Sequence, residues 1–174
     1  MKELRTERLL LRELVESDAP VIAKYMDDPE IASFVANVPY PYSLDDAKNF
    51  IRKVQEKAEK HEAYEWGIEL EGEIIGAVNI HEISVKHRRA MIGYLLSKEH
   101  HRKGIMSEAV RAVIEHAFSE LNIERLGAEV YVGNDPSFLL LEKLGFQKEG
   151  LLRRHTHHRG MVHDVYVYSL LRVP

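Results

Sequence analysis

Met91-Ile-Gly-Tyr-Leu-Leu-Ser-Lys-Glu-His-His-Arg-Lys-Gly-Ile-Met-Ser-Glu-Ala-Val-Arg-Ala-Val-Ile-Glu-His-Ala-Phe118 reads as a strand, a polar turn and a helix. Met91 to Leu96 is almost wholly apolar, which suits a strand buried on both faces. Ser97 to Lys103 is polar and basic and turns the chain. From Ile105 onward, apolar residues at 105, 106, 109, 110, 113, 114, 117 and 118 form one wide helical face. Glu108, Arg111, Glu115 and Ser119 occupy the other. A helix start offers unpaired backbone N–H groups and the positive end of a dipole. Arg102-Lys103-Gly104 leads into it, and Ser107 lies in its first turn. Two readings fit: an anion site suited to phosphate groups, and a solvated basic turn ahead of an ordinary core helix.

Composition narrows the classes. A chain of 174 residues is expected to form a single domain, residues 1–174, with a substantial core. With 45% hydrophobic and 30% charged residues it reads as a soluble globular protein. Its 24 basic and 28 acidic residues leave a net charge of −4, which argues against a bulk electrostatic grip on nucleic acid. There is no cysteine, so disulfides, thiolate catalysis and cysteine-type zinc sites are excluded. No apolar run is long enough to span a bilayer. Met1 to Arg8 passes into a strand without a signal peptide's apolar core, so a cytoplasmic location is the expectation.

Around the central stretch the chain alternates strands and helices. Arg8 to Leu14 is a first strand. Ser17-Asp-Ala-Pro20 is a helix entry, with Ser17 as cap and Pro20 in the first turn. The helix ends before Asp28-Pro29, and a second short helix is expected over 29–34. Ser43, with Asp46 three residues on, forms a near capping box for a helix whose buried stripe is Ala47, Phe50, Ile51, Val54 and Ala58. A meander follows: Tyr64 to Leu70, a turn at Gly72, Ile74 to Ile83, then Ala90 to Ser97. After the central helix come a strand over 125–132, a break at Gly133-Asn-Asp-Pro136, a short helix ended by Gly145, and two last strands. The class is mixed α/β, with the β–α–β part around the central helix crossing over in parallel.

These residues resemble the GNAT superfamily of N-acetyltransferases. Gly93-Tyr-Leu-Leu, the basic turn ending at Gly104, and Ser107-Glu-Ala are similar to its acetyl-CoA-binding motif. Asn134-Asp-Pro-Ser137, with Leu141-Glu-Lys-Leu-Gly-Phe146, resembles its second motif. Arg8-Leu-Leu-Leu-Arg12 and His163-Asp-Val-Tyr-Val-Tyr-Ser-Leu-Leu171 resemble the ribosomal-protein N-terminal acetyltransferase branch, the RimJ/RimL type. The resemblance covers nearly the whole chain. It implies the GNAT fold, a central twisted mixed seven-stranded sheet flanked by helices. It also implies acetyl-CoA as co-substrate and no metal.

Carried over residue by residue, the resemblance places cofactor phosphates at His101, Arg102, Lys103, Gly104, Ile105, Met106 and Ser107. His101 stands where glutamine or arginine is usual, Arg102 where this branch commonly has glycine, and Met106 where a small residue is usual. The pantetheine arm would run along Leu95, Leu96 and Ser97 and meet Asn134. Leu141 takes the place of a tyrosine that in many members protonates the leaving thiolate. In the RimJ/RimL branch a serine substitutes, here Ser137, which could equally be a first-turn helix residue. Phe34, Tyr40 and Tyr42 fall where relatives build one wall of the acceptor groove.

Acetyl transfer to an amine needs a neutral amine, a stabilised carbonyl oxygen and a good leaving thiolate. A base must take the ammonium proton. Backbone N–H groups of the central strand suit the oxyanion. Glu82 is the expected base. His81 beside it points to the opposite face, so at most one of the two meets the groove. His155 and His157 share a strand face in a histidine-rich stretch that reads as a polar hairpin rather than a metal site. The expected acceptor is a protein N-terminal α-amine. The alternatives are a small amine (polyamine, amino sugar or amino acid), or a non-catalytic module that senses acyl-CoA. No direct contact with nucleic acid or membrane is expected, and a homodimer through exposed C-terminal strands is left open.

Overall fold

The computed structural model describes residues 1–35 and 38–173. The chain runs β1 (Leu4–Arg5), β2 (Leu10–Glu13), α1 (Ala19–Met26), α2 (Pro29–Phe34), α3 (Leu44–Glu59), β3 (Tyr64–Leu70), β4 (Glu73–Ser84) and β5 (Arg89–Leu96). It continues through α4 (Ile105–Ser119), β6 (Arg125–Tyr131), α5 (Asp135–Lys143), β7 (Gln147–His158) and β8 (Met161–Leu171). Among the described residues the strands form one sheet of eight, in the order β1-β2-β3-β4-β5-β6-β8-β7. The expected seven become eight because Leu4–Arg5 folds back antiparallel onto Leu10 and Leu11.

Local chemistry sets the helix starts. Ser43 caps α3 as expected: its Oγ accepts from Asp46 N at 3.1 Å, and Asp46 Oδ2 accepts from Ser43 N at 2.9 Å. At α1 the expectation is corrected. Residues Glu16–Asp18 form a turn of 3-10 helix, and Asp18 does the tying in place of Ser17. Its Oδ2 accepts from Val15 N at 2.8 Å and from Arg12 Nη1 at 2.8 Å. Asp28 caps α2 by accepting from Glu30 N and Ile31 N.

The sheet separates two cores. On one face α4 buries Ile105, Ala109, Val110, Val113 and Ala117 against Trp66, Ile68, Val78, Ile80, Ile92 and Leu126. Each fully buried branched side chain contributes about 1.5–3 kcal/mol. On the other face Ile22, Tyr25 and Met26 of α1 and Ala47 and Ile51 of α3 cover Leu14 and Ile74.

β5 is where the sheet opens. It pairs with β4 along most of its length, from Arg89 to Leu96. With β6 it pairs in parallel only at Arg89–Arg125, Ala90–Leu126 and Met91–Gly127. Both strands run on past this point, β5 to Leu96 and β6 to Tyr131. A cleft opens between them, and the backbone of 92–96 borders it. On its other edge β5 is held tightly. A Cβ at Gly76 would lie 2.3 Å from the Leu95 carbonyl oxygen, so only glycine allows this approach.

Candidate active site

At one end of the cleft lies the start of α4. Gly104 is its N-cap, with φ 75 and ψ 0, and no side chain caps the helix. The first intrahelical bond runs from Glu108 N to Gly104 O at 3.1 Å, so the N–H groups of Ile105, Met106 and Ser107 have no partner within the helix. A Cβ at Gly104 would meet only Arg8 Nη2, at 3.6 Å, which leaves the space over the turn open. Arg102 and Lys103 are exposed beside it. Free donors, a dipole end and two cations form a donor set that fits the phosphates of acetyl-CoA.

The N-terminal segment braces this turn. Glu108 accepts from Thr6 Oγ1 at 2.6 Å, from Arg8 N at 2.9 Å and from Arg8 Nε at 2.7 Å. Arg8 Nη1 donates to Lys103 O at 3.1 Å. Burial pushes the Glu108 carboxyl up, but the hydrogen bonds from Thr6 and Arg8 outweigh it and hold the group below the ordinary carboxylate range.

At the other end the cleft widens into a cavity of about 390 Å³ between the α1–α3 face of the sheet and the start of α5. Leu95, Gly93, Asn79, His81, Glu65 and Glu129 lie on the sheet side. Pairing across the sheet aligns Glu65, Asn79 and Gly93 in one row. No lysine or arginine is among the lining residues. Burial pushes the Glu65 carboxyl up to about 7, opposed by a hydrogen bond from Asn79 and by the charge of Lys57. Burial also pushes His81 below its ordinary value, with Glu82 acting in the opposite sense. His81 Nδ1 lies 3.1 Å from Asn79 Oδ1. A carboxamide oxygen only accepts, so Nδ1 carries the proton and Nε2 keeps its lone pair.

The structure sorts the residues singled out from the sequence. Leu95, Asn134, Ser137, Phe34 and Tyr42 all line the cavity. Asn134 is the N-cap of α5, yet its side chain makes no capping bond and stays available. Ser137 lies in the first turn of that helix, with its Oγ 2.8 Å from the Tyr94 hydroxyl. Leu96 is buried, and Ser97 closes the strand by donating N–H to Ile75 O at 2.8 Å. His101 Nε2 lies 3.0 Å from Leu96 O, which ties the basic turn to the strand. Ile105 is core, and Met106 packs against it. Leu141 is fully buried.

Two residues stand elsewhere. Tyr40 is exposed, outside the cavity, with the Arg159 guanidinium 4.6 Å from its ring centre. Glu82 is exposed and outside the cavity, with φ 50. The β4–β5 register shifts between His81 and Ser84, and this bulge turns Glu82 outward while His81 points in. Sequence reasoning missed Glu65. Its strand alternates Tyr64-Glu-Trp-Gly-Ile-Glu-Leu70, which looks like one wet face, but α1 and α3 cover that face.

Residues 8–147 match the acetyltransferase (GNAT) domain family. Two curated relatives match over nearly the full length. They are the uncharacterized N-acetyltransferase YoaA of Bacillus subtilis (strain 168), 36% identical over 97% of this chain and 96% of its own, and the uncharacterized N-acetyltransferase p20 of Bacillus licheniformis, 37% identical over 99% and 97%. Among solved structures, RimL, a ribosomal L7/L12 α-N-protein acetyltransferase in complex with coenzyme A, superposes with a TM-score of 0.90. The match covers 98% of both chains at 21% identity. The chain belongs to the GNAT acetyltransferase family and has its fold. It is an N-acetyltransferase that uses acetyl-CoA. No helix among the described residues is long and apolar enough to cross a membrane.

Proposed function

We propose that the protein acetylates the α-amine at a protein N-terminus, with His81 as the base, Glu65 and Glu129 drawing in the ammonium, and Ser137 facing the leaving sulfur. The observation that carries this reading is the Glu65–Asn79–His81 array on the floor of a cavity that opens at the β5–β6 cleft. Leu95, Leu96 and Asn134 border the path of the pantetheine arm, and the start of α4 takes the phosphates. Bound acetyl-CoA supplies the activated acetyl group.

The residues divide the remaining work. The acceptor arrives as an ammonium ion and enters a cavity with two carboxyl groups and no lysine or arginine in its lining. Low local dielectric strengthens that attraction at Glu65, whereas Glu129 is exposed and lies 3.7 Å from His155 Nε2. The tautomer fixed by Asn79 aims the Nε2 lone pair of His81 at the incoming proton. Burial keeps the imidazole neutral at working pH, so it is ready to accept. An α-amine, with a pKa near 8, gives up its proton to such a base far more readily than a side-chain or polyamine amine with a pKa of about 10. This match favours the N-terminal acceptor, as does the likeness to RimL, an α-N-protein acetyltransferase. Backbone N–H groups of β5 that β6 leaves unpaired border the place where charge grows on the carbonyl oxygen.

A second reading rests on the pair of carboxyl groups: above about pH 7, where Glu65 ionises beside Glu129, the cavity also suits a dication such as a polyamine. Steady-state assays with acetyl-CoA separate the two. Short peptides with free N-termini are expected to show kcat/KM at least about tenfold above that of spermidine. The reverse order would replace the peptide acceptor by the polyamine. No turnover of either would overturn the acceptor proposal.

A further inference from the structure

Tyr94 lines the cavity together with its neighbours Gly93 and Leu95, beyond the last β5–β6 pair. Alternation sends its side chain to the other face of the sheet, where its ring packs against the core under α4. Its hydroxyl then reaches the first turn of α5. It lies 2.8 Å from Ser137 Oγ and 3.3 Å from Ser137 O, so its single proton has two acceptors in reach, of which Oγ is the nearer. A phenol in an apolar core is costly unless its hydroxyl finds a partner. Here both partners come from the one serine that faces the cavity.

We infer that Tyr94 is a positioning residue for acetyl transfer: its hydroxyl donates to Ser137 Oγ and orients the serine so that the serine's own proton faces the leaving sulfur. This inference rests on the role of Ser137 proposed above. The chemistry requires such a partner. A serine hydroxyl turns freely, and its proton follows whichever acceptor is nearest. An oxygen that accepts one hydrogen bond becomes a stronger donor of the next. Leu141, in the helix that carries Ser137, is fully buried and has no proton to give, so the phenol that reaches Ser137 comes from the strand. Burial pushes its pKa up to about 12, so it keeps its proton across the working range and remains a donor.

The step balances without a proton leaving Tyr94. The ammonium first passes one proton through His81 Nε2 to water; the neutral amine then forms the new C–N bond, and the nitrogen yields its next proton to the same, again neutral, Nε2. The C–S bond breaks and its electron pair stays on sulfur. Ser137 O–H donates a hydrogen bond to that charge. On release the thiolate takes a proton from water, and His81 returns its own.

The test measures the pKa of the coenzyme A thiol when bound, followed by the ultraviolet absorbance of the thiolate, together with affinity and turnover. Tyr94→Phe removes one oxygen and keeps the ring. It is expected to raise the bound thiol's pKa by about one unit and to lower kcat about tenfold. Affinity for coenzyme A, by calorimetry, should stay within about twofold, since the phosphates are held elsewhere. Ser137→Ala should do the same, and the double variant should be no worse than either single one, because the two hydroxyls act in one chain. Ser137→Thr, which keeps the hydroxyl, should retain the wild-type thiol pKa. A wild-type thiol pKa in Tyr94→Phe, with a shift in Ser137→Ala, would overturn the role of Tyr94 and leave that of Ser137 standing. No shift in Ser137→Ala would overturn both. If Tyr94→Phe loses the folded state in circular dichroism, the comparison of Ser137→Ala with Ser137→Thr decides: a shift in both would mean that no oriented hydroxyl is at work.

Discussion

Single side chains carry the proton chemistry, and their environments give signs that experiments can read. Glu65 keeps its proton up to about pH 7 because burial disfavours the charged form. In the unfolded chain it titrates near the ordinary carboxylate value of 4.5. Between these two values the folded state binds more protons than the unfolded one, so folding stability falls as pH rises through that window. Glu65→Gln should therefore melt alongside the wild type at about pH 4 and above it at about pH 8. The gain there should be about 1–3 kcal/mol, after discounting for the partial exposure of the group. An equal melting difference at both pH values would mean that Glu65 carries no such strain. His81 and Glu82 make a second pair of expectations. His81→Phe keeps the ring volume but loses the accepting nitrogen, and should lower kcat about a hundredfold. Glu82→Gln should change it less than about twofold, because that carboxylate points to solvent from a bulge. A large loss in Glu82→Gln with a mild one in His81→Phe would return the base to Glu82. The sequence reading takes Glu82 as the base. Alternation states that only one of two neighbours faces in, and the bulge that decides which one depends on pairing with β5 that no local pattern reveals.

At the scale of elements, the start of α4 is a cradle held open from outside by the N-terminal segment. Thr6 and Arg8 together place four donors on Glu108, and Arg8 also takes the carbonyl of Lys103. With that carbonyl occupied, the turn keeps its N–H groups toward the open side. Arg8→Ala would free the turn and leave the Glu108 carboxylate less compensated beside the phosphates, where it repels them. Acetyl-CoA should bind about tenfold more weakly by calorimetry, a loss of about 1.4 kcal/mol. Acetyl-pantetheine, which lacks the nucleotide and its pyrophosphate, should bind as to the wild type. Equal losses for both ligands would point to general unfolding of the site. The helix itself was legible, since the apolar residues at 105, 109, 110, 113 and 117 mark its buried face. The brace was not, because Thr6 and Arg8 are about a hundred residues from Glu108 in sequence, and side-chain pairing at that range leaves no periodic trace.

For the whole molecule, function follows from one interruption in a continuous sheet. β1 to β5 with α1, α3 and α4 form one body, and β6, β8 and β7 form the other side, joined through three residue pairs between β5 and β6. The order of strands and helices was readable from hydrophobic period and turn residues, and so was the parallel crossover. The length of the β5–β6 pairing was not. An apolar strand such as Met91 to Leu96 looks the same whether its neighbour runs beside it or diverges, so the cleft that makes the active site is a tertiary property. This arrangement predicts where protection from solvent changes. Amides of β5 that point toward β4 are already bonded and should exchange slowly in the free protein. Those between Ile92 and Leu96 that point toward the cleft lack a β6 partner and should exchange fast, together with the N–H groups of Ile105, Met106 and Ser107. Coenzyme A should slow both sets together, since one ligand spans the cleft and the cradle, and it should leave the β7–β8 amides unchanged. Hydrogen exchange followed by mass spectrometry with and without coenzyme A measures this directly. Protection confined to the start of α4 would mean that the arm of the cofactor does not lie along β5, and the placement of the thioester beside His81 and Ser137 would fall with it.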